Sequence, residues 1–368
     1  MKTTKLFFMA ALALMTAACS NDDNDLTTPQ PQKAEGITIT AQLAPKTNGA
    51  TTRAVSDGTN KIVPEWAVDE HIAILYTKDA TKYTADATIT AVDGDGAATI
   101  TFTVEGGTPD DTPCTLVYPY SAAKDDHTGV KDAATLLAAQ DGTLSANLDV
   151  RVGEGTIQTT TPGLTVTTQP EAQFAIFKFT VKNSDASATI NVKPLTVTIG
   201  AQNYVITPAS ATSELFVALP PIASQTVSFT ATDGRKTYTC SKDGISFDKG
   251  KYYQSTLKMA LNKITWNSFP TSGDCESFSQ DGVTLTAEMI FWERGEIEAS
   301  YEDGKFTSTV GNFTKIEITA DHLSSWSGWT KSGKKATWTG NASTVTFRPS
   351  QSWEVAIDGL SSMVFYFQ

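Results

Sequence analysis

From Ile37 onward, apolar and polar residues alternate with period two in almost every segment, and no other feature narrows the fold so far. Ile37-Thr38-Ile39-Thr40-Ala41-Gln42-Leu43, the run Thr99 to Val104 and the run Phe174 to Val181 are examples. Successive side chains of a strand point to opposite faces, so this alternation gives each segment one apolar face. Thr, Val, Ile, Phe and Tyr dominate the runs, and short Gly, Pro and Asp clusters separate them. Asp93-Gly94-Asp95-Gly96, Asp233-Gly234 and Asp243-Gly244 are hairpin-turn signals flanked by such runs. The pattern predicts an all-β chain built from tandem antiparallel β-sandwich domains. One helix is expected over Asp132 to Gln140, with Asp132 as N-cap and Gly142 near its end.

Composition divides the chain. The 107 residues from Asn262 onward hold six of the seven Trp but only two of the fifteen Pro, which marks a boundary. The expected organisation is a signal segment at 1–18, a tether at 19–35, β domains at 36–149 and 150–260, and a Trp-rich β-sandwich at 261–368. The formal net charge is −12, and no Lys/Arg cluster marks a nucleic-acid surface, so nucleic acid is not an expected partner.

Lys2 and Lys5 precede an apolar stretch from Leu6 to Met15, and Thr16-Ala17-Ala18 then lead to Cys19. Charged, apolar and small residues in that order form a secretory signal. A cysteine directly after two alanines resembles a bacterial lipobox, with Thr16 departing from the usual Leu. The expected consequence is lipidation of Cys19 and an outer-membrane lipid anchor. Ser20-Asn21-Asp22-Asp23-Asn24-Asp25 and the Thr/Pro/Gln-rich residues to Lys33 read as a flexible tether.

Catalytic signatures are missing from the sequence. His71, His127 and His322 are isolated, and no H-E-x-x-H, P-loop, G-x-G-x-x-G or G-x-S-x-G pattern occurs. No enzyme activity, metal or cofactor is expected. Cys114 and Cys240 fall in strand-like runs and suit buried apolar positions, a disulfide between them being the alternative.

Glu65-Trp66-Ala67-Val68-Asp69-Glu70-His71-Ile72-Ala73-Ile74 resembles the first domain of fimbrillin-like proteins of Bacteroidota. Cys19, the first strand, Thr52-Arg53-Ala54-Val55, Leu137-Ala138-Ala139-Gln140 and Gly250-Lys251-Tyr252-Tyr253 follow in the family's order, so the resemblance covers about residues 1–260. It implies a subunit of a type V pilus that assembles by strand exchange. An arginine-specific protease would cut between Arg53 and Ala54 and release a removable strand whose inward face is Ile37, Ile39, Ala41 and Leu43. Other pilus subunits would then be partners through β-strand addition. The chain departs from stalk subunits in the 109 residues that follow Met259. Its apolar terminal segment, Ser362 to Gln368, suits either a donor strand or the closing strand of the tail.

Trp326 and Trp329 lie in a Ser/Gly-rich segment of the tail, where packing into the core is the expected role and stacking on a sugar or a partner side chain the alternative. Two roles follow: a structural or adhesive, tip or accessory component of a pilus at the cell surface, or a non-polymerising surface lipoprotein whose tail binds host or dietary glycans.

Overall fold

A computed structural model describes residues 36–46, 65–144, 148–349 and 355–368. Cys19, Arg53, Ala54 and Trp353 lie outside the described residues. The described residues are overwhelmingly strand, with one short 3-10 turn and one short helix named among them. The chain is all-β, as the alternation predicts.

The first unit is a single seven-stranded sheet. Its strands are β1 (Ile37–Leu43), β2 (His71–Lys78), β3 (Thr81–Val92), β4 (Ala98–Val104), β5 (Thr112–Tyr118), β6 (Arg151–Gln158) and β7 (Gly163–Ala172). They run in the spatial order β1-β4-β3-β2-β5-β6-β7, and every neighbouring pair is antiparallel. The Asp93 turn closes the β3–β4 hairpin, where the Asp93 carboxylate accepts from the amides of Asp95 and Ala97 at 3.0 and 2.8 Å. The sheet curls until its edges approach, and the Ala44 amide donates to Gln169 Oε1 on β7 at 3.3 Å. Gly153 and Gly155 permit the curl. A Cβ at Gly153 would stand 2.7 Å from the Thr168 carbonyl, and one at Gly155 would stand 2.9 Å from that of Thr165.

The expected boundary at 149/150 therefore needs correction, because β6 and β7 hydrogen-bond into the first sheet and extend it to Ala172. A long, weakly patterned stretch separates β5 from β6, and nothing local in the sequence marks which sheet β6 and β7 join.

The second unit comprises β8 (Ala175–Asn183), β9 (Leu195–Ile199), β10 (Gln202–Ile206), β11 (Glu214–Leu219), β12 (Ile222–Thr232), β13 (Lys236–Phe247) and the first part of β14 (Tyr252–Trp266). One layer is β11-β8-β14, in which β8 and β14 run parallel; the other is β10-β9-β12-β13-β14. Phe177 and Phe179 of the first layer meet Phe247 and Phe229 of the second edge-on, at 4.9 and 5.4 Å. That is sandwich packing.

The segment between β5 and β6 reaches across to the second unit. Asp132 caps the helix α1 (Ala133–Leu136) by accepting from the Thr135 amide at 2.9 Å. The helix is shorter than the expected span to Gln140, because Gln140 is drawn into the second unit. Its side-chain amide donates to the Ala218 carbonyl at 3.0 Å and accepts from the Ala218 amide at 2.8 Å. Ala73, Leu75 and Val117 on the outer face of β2 and β5 share one core with Leu137, Ile206 and Leu215. Being buried on both faces, β2 reads as the unbroken run Ile72-Ala73-Ile74-Leu75-Tyr76.

The tail contains β15 (Asp274–Gln280), β16 (Val283–Phe291), β17 (Glu296–Glu298), β18 (Gly304–Ser308), β19 (Phe313–Leu323), β20 (Trp329–Ser332), β21 (Lys335–Ala342), β22 (Thr344–Phe347) and β23 (Ile357–Phe367). Its core is aromatic, with Trp266, Phe306, Phe313 and Phe365 buried together. The tail joins the second unit through β14, which pairs with β8 over Tyr252 to Met259, with β13 over Ala260 to Ile264 and with β23 over Lys263 to Trp266.

Candidate strand-acceptor site at the first strand

β1 is an edge strand that completes a core. All seven residues are in antiparallel register with β4, from Ile37 opposite Val104 to Leu43 opposite Ala98. Ile39 and Leu43 are fully buried and Ala41 is buried beside them, while Ile37 is half-buried at the open end. They pack in one cluster with Ile72, Ile89, Ile100 and Phe102. Burying side chains such as Ile39 and Leu43 stabilises by about 1.5–3 kcal/mol each. Thr38 and Thr40 point outward, their hydroxyls 3.3 and 3.4 Å from those of Thr103 and Thr101.

The opposite edge of β1 has no ladder partner among the described strands, although β7 lies beside it. Removing β1 would open an apolar groove along β4 and free one row of β4 backbone donors and acceptors. Such an edge is the template for strand addition.

A buried charge cluster fastens the end of β1. Three residues beyond Leu43, the Lys46 side chain is 2% exposed, and its ammonium lies 3.8 Å from the Tyr118 ring centre and 4.3 Å from that of Trp66. Glu70 and Asp149 each place a carboxylate oxygen 3.5 Å from the same ammonium. Tyr118 and Trp66 meet edge to face at 5.2 Å. The Tyr118 hydroxyl donates to Glu70 Oε1 at 2.5 Å, and the Ala67 amide donates to Glu70 Oε2 at 3.0 Å. Trp66 Nε1 donates to the Ala44 carbonyl at 2.9 Å, so the cluster grips the backbone as well as the lysine. Arg151, fully buried, donates through Nε to Asp149 at 2.8 Å.

Two cations thus balance two carboxylates. Burial lowers the Lys46 ammonium from its ordinary range, opposed by Asp149 and Glu70. Burial, the hydrogen bond to Glu70 and its charge push the Tyr118 phenol up.

The sequence singled out Ile37, Ile39, Ala41 and Leu43 and missed Lys46, Tyr118, Asp149 and Arg151. The available signal was Glu65 to Glu70, whose Trp66 and Glu70 supply two walls of the cluster.

The tail decides between the two readings of Trp326. Trp326 is buried, with its indole N–H donating to Ser324 Oγ at 2.7 Å and its ring against Phe347 at 5.2 Å, so it fills core and offers no free face. Trp329 is half-buried and donates to the Thr346 carbonyl at 3.0 Å. Its ring meets Trp326 edge-on at 5.1 Å. The terminal run Ser362 to Gln368 is largely an interior strand, with Phe365 opposite Ile264 of β14 and Ile316 of β19. Cys114, Cys240 and Cys275 are free thiols, and burial pushes Cys114 up to about 12.

No protein-family model and no curated protein matches the sequence. Solved structures similar to the chain include a fimbrial assembly protein from Parabacteroides distasonis, 13% identical, covering 74% of this chain and 96% of that one at a TM-score of 0.34. A tip fimbrial protein from Porphyromonas gingivalis, truncated at its C-terminus, is 11% identical over 61% of this chain and 95% of its own, at a TM-score of 0.31. A fimbrial protein from Bacteroides ovatus is 11% identical over 60% of this chain, at a TM-score of 0.32, and the match spans 48% of its length. These are proteins of the kind the N-terminal motifs resemble, and likeness of this degree leaves the functional argument to the chain's own geometry.

Proposed function

We propose that this chain is a non-catalytic, surface-exposed outer-membrane lipoprotein of the fimbrillin-like type, anchored through Cys19, that accepts a strand from another pilus subunit after cleavage between Arg53 and Ala54. One observation carries the reading: β1 buries Ile39, Ala41 and Leu43 in the first core yet is laddered on one side only among the described strands. Arg53 lies ten residues beyond Leu43 and is the first arginine of the sequence, so a cut there frees β1 and leaves the rest of the sheet intact. The interior position of β23 supports a tip or accessory role over that of a repeating stalk subunit, since the tail uses that strand for its own core.

The test is to digest the full chain with an arginine-specific protease and follow mass and oligomeric state with a purified pilin present. The expected product starts at Ala54, loses residues 37–43 and enters detergent-resistant complexes. A cut chain that keeps its first strand indefinitely and stays monomeric would overturn the reading.

A further inference from the structure

Removing β1 takes Lys46 with it, and the charge balance then fails. Among the described residues, Glu70 and Asp149 then keep only Arg151 as a neighbouring cation, and Arg151 faces Asp149. Glu70 keeps its bonds from Tyr118 and Ala67 but loses its cation. Unpaired charge in a sheltered site is unfavourable, so the emptied pocket retains a demand for positive charge. Tyr118 and Trp66 leave ring surfaces that held an ammonium at 3.8 and 4.3 Å, the arrangement that attracts a desolvated cation. Trp66 Nε1 and Gln169 Oε1 free a donor and an acceptor that had engaged the Ala44 backbone, which suits an extended peptide better than a free ion.

We propose that the Lys46 pocket selects the strand that replaces β1: the incoming segment of another chain carries a lysine three residues beyond the last apolar side chain it inserts. This deepens the strand-acceptor reading and rests on it. The groove along β4 takes alternate apolar residues and discriminates weakly among them, because many strands share that pattern. The pocket adds a single charged position at a fixed distance from the groove's end, and so sets both identity and register. A one-residue slip would carry the lysine away from both carboxylates and turn the apolar face outward. A segment with an acidic residue at this position would meet Glu70 and Asp149 and be rejected by like charge.

The experiment uses the full chain cut after Arg53, with a C-terminally amidated peptide of residues 36–49 labelled at its N-terminus. Uptake is read by fluorescence anisotropy, and unlabelled peptides compete. The wild-type competitor should displace the label. Lys46→Met, which keeps the side-chain stem, should need about tenfold more peptide or greater for the same displacement. Lys46→Glu should not compete. Equal competition by all three would overturn the pocket's role while leaving strand acceptance intact. Failure of the fully cut chain to take up the labelled wild-type peptide would overturn strand acceptance and this inference together. Varying the peptide leaves the fold of the acceptor untouched.

Discussion

β1 and β23 have similar sequences in kind and opposite positions in the structure. Both alternate apolar and polar residues, and both bury alternate side chains in an aromatic or aliphatic core. β23 is hydrogen-bonded on both sides, to β19 along most of its length and to β14 near its end. β1 has one laddered neighbour among the described strands. Period-two patterning therefore reports burial of a face and says nothing of how many edges a strand has satisfied. A strand with one free edge can leave by breaking one ladder, whereas an interior strand must break two and divide its sheet.

The largest effect expected to sharpen this contrast is Phe365→Ala. Phe365 is fully buried against Trp266, Phe306 and Phe313 at ring separations of 4.8, 5.4 and 5.7 Å. Truncation should cost about 3–5 kcal/mol in denaturant unfolding followed by tryptophan fluorescence. A loss under about 1 kcal/mol would mean that the tail collapses easily around β23, and the two strands would differ less than their pairing implies.

Ile39→Ala comes next. The loss should be about 2 kcal/mol, at the low end for such truncations because the neighbours of an edge strand can close over the gap. Hydrogen exchange should speed up in β1 and β4 and remain unchanged in the tail. Exchange that rises equally in β23 would show the two regions to unfold as one, and the independence of β1 would be lost.

The smallest effect concerns acid. Half-buried Glu317 on β19 accepts from Tyr366 of β23 at 2.9 Å and lies 2.7 and 2.9 Å from the ammonium groups of Lys315 and Lys335. Burial alone would raise its carboxyl, but the bonds from Lys315, Lys335 and Tyr366 outweigh that and hold it down at about 2. A depressed carboxyl stabilises the fold above its ordinary value of 4.5, and that contribution fades as pH falls towards about 2. The tail should therefore lose stability across that window. Glu317→Gln should flatten this part of the pH profile in thermal melts, and an unchanged profile would remove the lock from β23.

Much of the fold was legible in the sequence. Alternation announced strands, Asp93-Gly94 announced its hairpin, and Asp132 announced a helix start that its bond to Thr135 supports. What escaped were choices that depend on distant partners. β6 and β7 carry no local mark of belonging to the first sheet, and α1 stops early because Gln140 finds Ala218, 78 residues away. The candidate site divides the same way. The inward face of β1 follows from periodicity, whereas Lys46 reads as an ordinary loop lysine until Trp66, Glu70, Tyr118 and Asp149 converge on it. The Ser/Gly setting of Trp326 leaves core packing and ligand contact both open, and Ser324 is the residue that lets its indole be buried with its N–H satisfied.

The continuity of β14 has a mechanical consequence. At about 3.3 Å per residue, its fifteen residues extend about 50 Å and belong in turn to the second unit and to the tail. A pull applied at the tail would run lengthwise through this one strand, across the register shift between Leu261 and Lys263. Ladder bonds lie across strands, so tension along β14 loads many of them in shear at once and gives them no opportunity to unzip singly.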